Sequence, residues 1–514
     1  TTTSLITLNL IFTQEKLSLS TAQKYIEMGN MNMAITILKR MIEKGEKQPD
    51  VFFYLGYCYV NVSYYPQQAV DALNKYLELS KNPDNNAYYL LGKAYHLNYQ
   101  FDSALTYYRK FIAGGGGRLA TRQKTEQDIQ HVLNARELIK YPLNVKIENL
   151  GAKINTPFPE YMPLVDKEET FILFNTRRED GSLSMPDGYF SASIYAAFLE
   201  KGQVKKVIPL GSEINTIEDN EEITGMSPSG NYIVIHQTRA AEGGTLYLSR
   251  LLDRTNEKLK FSYPVPLPPP INSSYNEISG TITDDASTII FSSDRPEGLG
   301  DIDLYIAKKL PNGEWGNPHN LGPPLNTKYE DNFPYLSPDS KTLFFASSGH
   351  ISMGGLDIFK ATFNENSGRW ENIKNLGYPV NTTADDILLS MPAKGRYAYI
   401  ASFRKDGFGD LDIYRVTFLD VEPIYKVITG RVFTKDTSTR LTDVTITSTN
   451  TETGKLIGYY QPNPVSMKYV IILPPGKYSI DVQAPGFTNQ TFILSINEGD
   501  ENEQIINIEL IPKR

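Results

Sequence analysis

The chain has 514 residues, 40% of them hydrophobic, and this length exceeds what one hydrophobic core usually organises, so about three domains are expected. Its 59 acidic and 51 basic residues give a formal charge of −8, and no basic block suited to phosphates is present, which argues against a nucleic-acid partner. The single cysteine, Cys58, excludes an internal disulfide, and the apolar helical pattern around it predicts a core position.

The first residues are apolar but too few to cross a bilayer. Residues 5–12 read LITLNLIF, and we interpret residues 1–13 as the remnant of a secretory signal peptide whose basic start is missing. The alternative is a short buried strand or helix. No later run of about 20 apolar residues follows, so no transmembrane segment is expected.

Residues 14–142 have helical apolar spacing with an internal repeat. The stretches FFYLGYCY and YYLLGKAY begin at Phe52 and Tyr88, and each precedes a second helix with a small residue, Ala69 or Ala104. A weaker copy begins near Tyr25. This pattern resembles tetratricopeptide repeats, in which paired helices stack into one continuous core. The polar stretch after the GGGG segment predicts a capping helix.

Residues 143–420 alternate between short apolar strands and turns. A phrase of the approximate form Leu-Gly-x-x-apolar-Asn-Thr recurs, and its copies begin at Leu150, Leu210, Leu267, Leu321 and Leu376. Between successive copies come an apolar strand, a turn such as SPSG, a second strand, a polar loop and a third strand such as DIDLYIAKK. This arrangement is typical of a four-stranded propeller blade. We therefore predict a five-bladed β-propeller.

The phase of this repeat predicts how the ring closes. The first copy of the phrase precedes any complete blade, whereas the last blade ends at Phe418 with no copy of the phrase after it. We predict that residues 144–150 supply the outer strand of the last blade, which would leave no unpaired edge.

Residues 421–514 alternate strongly and are cut by turns, which predicts a β-sandwich of about seven strands. The stretch LPPGKYSIDVQAPGFTNQT resembles the transthyretin-like regulatory domain found beside some carboxypeptidases. The expected fold class is therefore a multidomain α plus all-β protein.

No catalytic motif emerges from the sequence. The five histidines are scattered, and we find no zinc signature, Gly-x-Ser-x-Gly elbow or phosphate-binding Gly-Lys-Ser/Thr loop. We expect no catalytic residue, no metal site and no cofactor.

Aligning the blades reveals one candidate constellation. An arginine occupies the same place in the loop between the second and third strands of four blades, with Gly349 or His350 in the remaining blade. An acid follows the Asn-Thr phrase in every blade. The arginines are Arg178, Arg239, Arg295 and Arg404, and the acids are Glu160, Glu221, Glu277, Asp331 and Asp385. Because these loops open on one face, the groups form a candidate partner-binding rim.

Two other interpretations compete with a partner-binding rim. Arg-carboxylate pairs also fasten loops, and their repetition in every blade favours that structural role. A propeller glycosidase needs acids of unequal environment, which five equivalent acids fit poorly.

The order of helical repeats, a propeller with SSDRPEGLGDIDLY-type blades and a carboxypeptidase-regulatory-like sandwich resembles the PorE family of the type IX secretion system. It also resembles related envelope proteins with TolB-type propellers, and the resemblance covers essentially the whole chain after residue 13. It implies a periplasmic scaffold, associated with the outer membrane, whose partners are outer-membrane or periplasmic secretion-system proteins. PorE-like proteins carry a further OmpA-like domain that grips peptidoglycan. This sequence lacks that domain, which predicts either truncation or an indirect link to peptidoglycan.

The expected function is therefore a non-enzymatic scaffold or adaptor of the secretion or gliding machinery, which binds proteins through its helical repeats and propeller. The first alternative is a sensor whose propeller binds a glycan or peptide. The second is a propeller glycosidase.

Overall fold

The computed structural model describes residues 17–62, 65–200, 202–216, 220–239, 243–255, 257–393, 395–419, 426–436, 440–474, 476–496 and 503–513. The predicted signal remnant, residues 1–13, lies outside the described residues. The described residues form two compact units. One unit contains the residues up to Thr125 together with Arg177–Ser191, and the other contains Glu126–Thr176 and the residues from Ala192 onward.

Seven helices occur among the described residues, and the first six pack in succession. The helices are α1 (Leu19–Glu27), α2 (Met31–Glu43), α3 (Pro49–Val62), α4 (Pro66–Leu79), α5 (Asn86–Leu97), α6 (Phe101–Ala113) and α7 (Arg122–Leu138). Ser18 and Asn30 cap the first two helices by accepting bonds from the amides of Thr21 and Met33. Gly92 lets α5 approach α6 closely, since a Cβ there would lie 2.5 Å from the Tyr108 ring.

The strands after the helices form five antiparallel sheets in chain order. The first strand, β1 (Val145–Asn149), joins the fifth sheet. Sheet 1 contains β2 (Glu160–Val165), β3 (Phe171–Thr176), β4 (Ser193–Glu200) and β5 (Gln203–Pro209). Sheet 2 contains β6 (Glu221–Met226), β7 (Tyr232–Arg239), β8 (Gly243–Arg254), β9 (Leu259–Phe261) and β10 (Val265–Pro266). Sheet 3 contains β11 (Glu277–Ile282), β12 (Thr288–Ser293), β13 (Asp303–Lys308) and β14 (His319–Asn320). Sheet 4 contains β15 (Asp331–Leu336), β16 (Thr342–Ser347), β17 (Asp357–Asn364) and β18 (Arg369–Asn375). Sheet 5 contains β19 (Leu389–Ser390), β20 (Tyr397–Ser402), β21 (Asp412–Phe418) and β1.

The first strands of the sheets contact one another in a closed cycle. Strand β2 contacts β6, β6 contacts β11, β11 contacts β15, and β19 contacts β2. The remaining step is made by the Tyr335 hydroxyl on β15, which donates to the Met391 carbonyl just after β19 at 2.9 Å. Radial antiparallel sheets that meet through their first strands are the organisation of a β-propeller.

The outer strand of sheet 5 comes from a distant part of the chain. Strand β1 pairs antiparallel with β21, with Val145 opposite Phe418 and Asn149 opposite Tyr414. This is the pairing that the phase of the repeat predicts. It joins the beginning and the end of the strand-rich segment by main-chain hydrogen bonds.

The residues from Lys426 onward form two further sheets around a separate apolar core. One sheet has the order β25 (Lys468–Leu473), β22 (Lys426–Phe433), β28 (Glu503–Ile505), with β29 (Ile508–Glu509) also paired to β22. The other has the order β24 (Leu456–Tyr460), β23 (Thr445–Asn450), β26 (Gly476–Gln483), β27 (Gln490–Ile496).

Among the described helices, none combines the length and apolar character that a membrane span needs.

Candidate functional site at the repeated loops

The asparagine of each repeated phrase binds the third strand of the sheet that precedes it. Asn326 accepts a hydrogen bond from the Leu304 amide at 2.9 Å and donates to the Leu304 carbonyl at 2.9 Å. The side chain thus satisfies backbone groups as a neighbouring strand would. The same two bonds join Asn155 to Ile413, Asn215 to Ile194, Asn272 to Leu246, and Asn381 to Ile358. The phrase recurs because each copy anchors the link between two sheets.

The acid that follows each phrase accepts hydrogen bonds from the phrase itself. In sheet 3, Glu277 accepts from the Ser273 amide at 2.9 Å, from the Ser273 hydroxyl at 2.7 Å and from the Ser293 hydroxyl at 3.1 Å. The equivalent bonds join Glu160 to Thr156, Glu221 to Thr216, Asp331 to Thr327, and Asp386 to Thr382. Side-chain exposure decides what these acids can reach. Glu160, Glu221, Glu277 and Asp331 are each 0% exposed.

A second repeated acid closes the glycine-rich turn before the third strand. Asp357 accepts from the amides of Met353 and Gly354 at 2.8 and 3.0 Å, and from the Asn375 side chain at 2.7 Å. Asp303 and Asp412 accept from the same kinds of groups. The similar stretches that end in DIDLY and DLDIY are therefore copies of one turn-fastening device.

Two of the repeated arginines also bind within their own sheets. Arg295, whose side chain is 9% exposed, pairs with the fully buried Glu277 at 3.1 Å. Its guanidinium also donates to the carbonyls of Pro270 and Ile271. Arg404 donates to the Pro379 carbonyl at 2.8 Å and lies over the Tyr414 ring. These contacts favour the loop-fastening role over a partner-binding role for both arginines.

In sheet 4 a histidine takes the place of the arginine. His350 Nε2 lies 2.8 Å from the Leu325 carbonyl, which corresponds to the Ile271 carbonyl that Arg295 binds. A carbonyl only accepts, so this ring nitrogen carries the hydrogen. The ring also contacts Phe345 and Phe359, and burial lowers the pKa of His350. His350 therefore holds the same loop without a positive charge.

The structure corrects one of the predicted acids. Asp386, rather than Asp385, holds the repeated acid position, because Asp386 is buried and bound to Thr382, whereas Asp385 is exposed and accepts from the Leu356 amide. Arg178 is half-buried and belongs to the unit that contains the first six helices. Arg239 ends strand β7, and its side chain lies outside the described part of the structure.

Burial shifts the protonation of several of these acids. It raises the pKa of Asp331 to about 7 and that of Asp386 to about 7, and it raises the pKa of Asp357 well above its usual range. Burial is the main cause in each case, and a like charge adds to it: the charge of Asp303 raises the pKa of Asp331 further, and that of Asp386 raises the pKa of Asp357 further.

Helix α7 fixes the loop that carries His350, a contact that sequence reasoning missed. Gln127 donates to the Ser348 carbonyl at 2.9 Å, and Asn134 donates to the Ser352 carbonyl at 2.8 Å. At the end of the helix, the Lys140 ammonium lies 5.0 Å from the centre of the Tyr460 ring in the sandwich. The polar face that predicts a capping helix is thus used for specific carbonyl contacts.

The segment Arg177–Ser191 packs against the first helices, which sequence reasoning also missed. Asn30 donates to the Pro186 carbonyl at 3.4 Å, and Asn32 donates to the Tyr189 hydroxyl at 3.3 Å. Arg177 shapes the segment by a bidentate pair with Asp187, at 2.6 and 3.0 Å. The extra length of this loop relative to those of the other repeats was the only signal of such a contact.

Large apolar side chains are exposed at many points of the described surface, and two groups of them are the most prominent. Tyr263 and Val265 stand at the outer edge of sheet 2, at 76% and 63% exposure. Ile505 and Ile511 are exposed beside an open cleft of about 340 Å³ between β27 and the last strands of the sandwich. No group of three or more metal-ligating side chains with suitable geometry occurs within the described ranges.

No family profile and no curated protein matches the sequence. Solved structures give distant likenesses. A protein assigned as TolB from Agrobacterium tumefaciens shares 14% identity, with 64% of this chain and 97% of that chain covered and a TM-score of 0.31. A glycoside hydrolase shares 9% identity, with 59% and 96% covered and a TM-score of 0.37. A levansucrase variant from B. megaterium shares 11% identity, with 54% and 87% covered and a TM-score of 0.35. At these values the likenesses carry no argument about activity or substrate.

Proposed function

We propose that the chain is a non-enzymatic scaffold or adaptor of the bacterial envelope. In this proposal it lies in the periplasm, associates with the outer membrane and belongs to the type IX secretion or gliding machinery. Its helices form tetratricopeptide repeats, its five sheets form a five-bladed propeller, and its last two sheets form a transthyretin-like sandwich. The order of these parts is the basis of the family resemblance.

One observation carries the non-enzymatic part of the proposal. The repeated acids are the natural candidates for a reactive site, and they are buried and bonded to the loops beside them: Glu160, Glu221, Glu277, Asp331 and Asp386. Glu277 has four donors from its own sheet and its preceding loop, and one of them is the guanidinium of Arg295. A glycosidase needs two carboxyl groups that reach a sugar, and a carboxylate held under its own loop does not reach one.

The exposed apolar side chains support a protein partner. Exposed apolar side chains mark surfaces that a protein partner covers, and tyrosine is among the residue types that most often anchor such interfaces. The turns that follow Arg295 and Arg404 also expose Leu299 and Phe408, at 50% and 47%, so apolar contact points occur on the rim loops as well. A scaffold with rigid domains and apolar contact points on its outer surfaces fits this distribution.

The proposal is tested by affinity purification of the tagged full chain from the envelope of its native host after cross-linking in the cell. The expected result is enrichment of outer-membrane or periplasmic secretion components. Two variants locate the contact. One changes Leu252, Tyr263 and Val265 to Ser, and the other changes Ile493, Ile505 and Ile511 to Ser. All six side chains are exposed, so both variants should fold and each serves as the matched control for the other.

Recovery of no envelope component by a folded wild-type chain would contradict the scaffold proposal. Turnover of glycans or peptides by the purified chain, lost on changing a buried acid without loss of folding, would favour an enzyme. Thermal stabilisation by a small glycan or peptide would favour the sensor alternative.

A further inference from the structure

The outer edge of sheet 2 is a run of prolines. Residues 263–270 read YPVPLPPP, and strand β10 within them is the last strand of the sheet. We call residues 263–270 the proline edge. Tyr263 and Val265 are 76% and 63% exposed, whereas Leu267 is buried and holds the run against the apolar core. The exposed prolines are Pro266, Pro268 and Pro269.

The register of β10 directs its prolines away from the sheet. The Leu267 amide donates to the Leu246 carbonyl at 2.9 Å, and Val265 lies opposite Leu248. In an antiparallel pair, residues that bond the neighbouring strand alternate with residues whose backbone groups face the other way. The residues at these outward positions are Pro264, Pro266 and Pro268. Proline has no amide hydrogen, so positions 264–268 offer no outward donor.

This arrangement disfavours one kind of partner and favours another. A peptide that adds to a sheet edge as a further strand needs outward amide donors, which the proline edge does not supply at positions 264–268. Each proline instead fixes its own φ at about −65°, close to that of a polyproline II helix, so the run has little backbone entropy to lose on binding. Pro266 and Pro269 have the Pro-x-x-Pro spacing that aromatic-lined grooves bind.

The fold itself does not require these prolines. The residue before the leucine of the repeated phrase is Pro266 in sheet 2, whereas three other sheets have an asparagine there that binds the turn-fastening acid. These asparagines are Asn320, Asn375 and Asn149, which donate to Asp303, Asp357 and Asp412. In sheet 1 the position is Pro209, which is exposed. Only sheet 2 combines a proline there with prolines two residues to either side, so the run is a property of this one edge.

We propose that the proline edge is the docking surface for a partner protein whose binding groove is lined with aromatic side chains. The rings of the groove pack on the exposed prolines and on Tyr263 and Val265. The outward carbonyls of Pro264 and Pro266 accept hydrogen bonds from the groove. Tyrosine and tryptophan suit both tasks, because each has a flat ring and a donor. This inference rests on the proposed scaffold function and narrows it to one surface and one class of partner.

The test is photo-cross-linking of the full chain in the envelope of its native host. The photoreactive residue p-benzoylphenylalanine replaces Tyr263 in one variant and Val265 in another, and mass spectrometry identifies the residues of the captured protein that become joined to it. The expected result is capture of the same envelope protein from both positions, through a segment that contains tryptophan, tyrosine or phenylalanine. The captured protein is then purified and titrated against the wild-type chain.

Matched variants show whether the prolines are what the partner recognises. The triple change Pro264→Ser, Pro266→Ser and Pro268→Ser makes the edge more flexible and should weaken binding of the captured protein by about tenfold or more. The control Pro209→Ser alters an exposed outer-strand proline of sheet 1 and should change binding by less than about twofold. Replacing the joined aromatic residue of the captured protein by alanine should also weaken binding, and this measurement uses the wild-type chain, so it stays decisive if the triple variant does not fold.

Three results would overturn the docking proposal. They are unchanged binding by the folded triple variant, cross-links only to a second copy of this chain, and cross-links only to segments without an aromatic residue. The scaffold proposal fails separately. Absence of cross-links from both positions, with normal recovery of envelope components in the affinity purification, would overturn the docking proposal and leave the scaffold proposal standing. Absence of partners in both experiments would contradict both proposals.

Discussion

Replacing Asn326 by Ala removes the anchor between sheets 3 and 4. Asn326 makes two bonds to the Leu304 backbone and donates to Asn320 at 2.8 Å. After the change the Leu304 carbonyl keeps a donor from Leu321, and Asn320 keeps one from Gly322, but the Leu304 amide loses its partner. An orphaned buried amide costs about 1–3 kcal/mol, and the other two lost bonds cost about 1 kcal/mol each. We expect a loss of roughly 4 kcal/mol in the free energy of unfolding.

The chain offers a convenient assay for this loss. Its two tryptophans are both buried: Trp315 lies in the connection between β13 and β14 of sheet 3, and Trp370 lies in β18 of sheet 4. Their fluorescence during urea unfolding therefore reports on this region alone. The matched control is Asn312→Ala, which removes similar local bonds from an exposed turn and should cost less than about 0.5 kcal/mol. A loss in Asn326→Ala as small as in the control would refute the anchoring argument.

Three further changes test other parts of the fold. Gly225→Ala places a Cβ 1.6 Å from the Gly280 carbonyl oxygen, so we expect the tryptophan-monitored midpoint to fall sharply, and an unchanged midpoint would contradict the close strand approach. Cys58, the only cysteine, is buried, and burial raises its pKa to about 12. Its labelling by a thiol reagent should therefore require opening of the helical unit, and rapid labelling of the native chain would contradict this. In Gly92→Ala the new methyl group overlaps the Tyr108 ring, which should lower the stability of the helical unit by about 1–3 kcal/mol. A loss of about 1 kcal/mol corresponds to about a fivefold change in the opening equilibrium, so Cys58 labelling should become at least fivefold faster.

The helices and strands could be predicted from the sequence because their periodicity is local. Alternation and turn residues predict the strands, and the spacing of the repeated phrase predicts where each sheet begins. The pairing of β1 with β21 also followed, because the phase of a repeat shows which strand a sheet lacks. Burial patterns of this kind depend only on which residues are apolar and how far apart they are.

The hydrogen bonds of the candidate site were harder to predict from the sequence because they join residues that are far apart in the chain. The role of Asn326 depends on Leu304, and no local pattern links an asparagine to a strand 22 residues earlier. The choice of Asp385 over Asp386 failed for a related reason. Two adjacent acids fit the same alignment, and only the buried loop geometry shows which one binds Thr382.

Contacts between separate helices, loops and sheets were the hardest to predict from the sequence. The segment Arg177–Ser191 has the sequence of an ordinary polar loop, yet it packs against Asn30 and Asn32 at the start of α2. Helix α7 reads as a polar cap, yet it binds the carbonyls of Ser348 and Ser352. Side chains that bind backbone carbonyls carry no distinctive spacing, so such contacts need the structure.

The most direct test of the account asks whether the repeated arginines fasten loops or bind a partner. Arg295→Met removes the cation from the buried Glu277 pair, and breaking such a pair costs about 3–5 kcal/mol. The measurement combines tryptophan-monitored unfolding with recovery of envelope partners, normalised to the folded fraction of each sample. The account predicts a large loss of stability with unchanged recovery per folded molecule. Unchanged stability with lost recovery would contradict it and would place the partner on the rim.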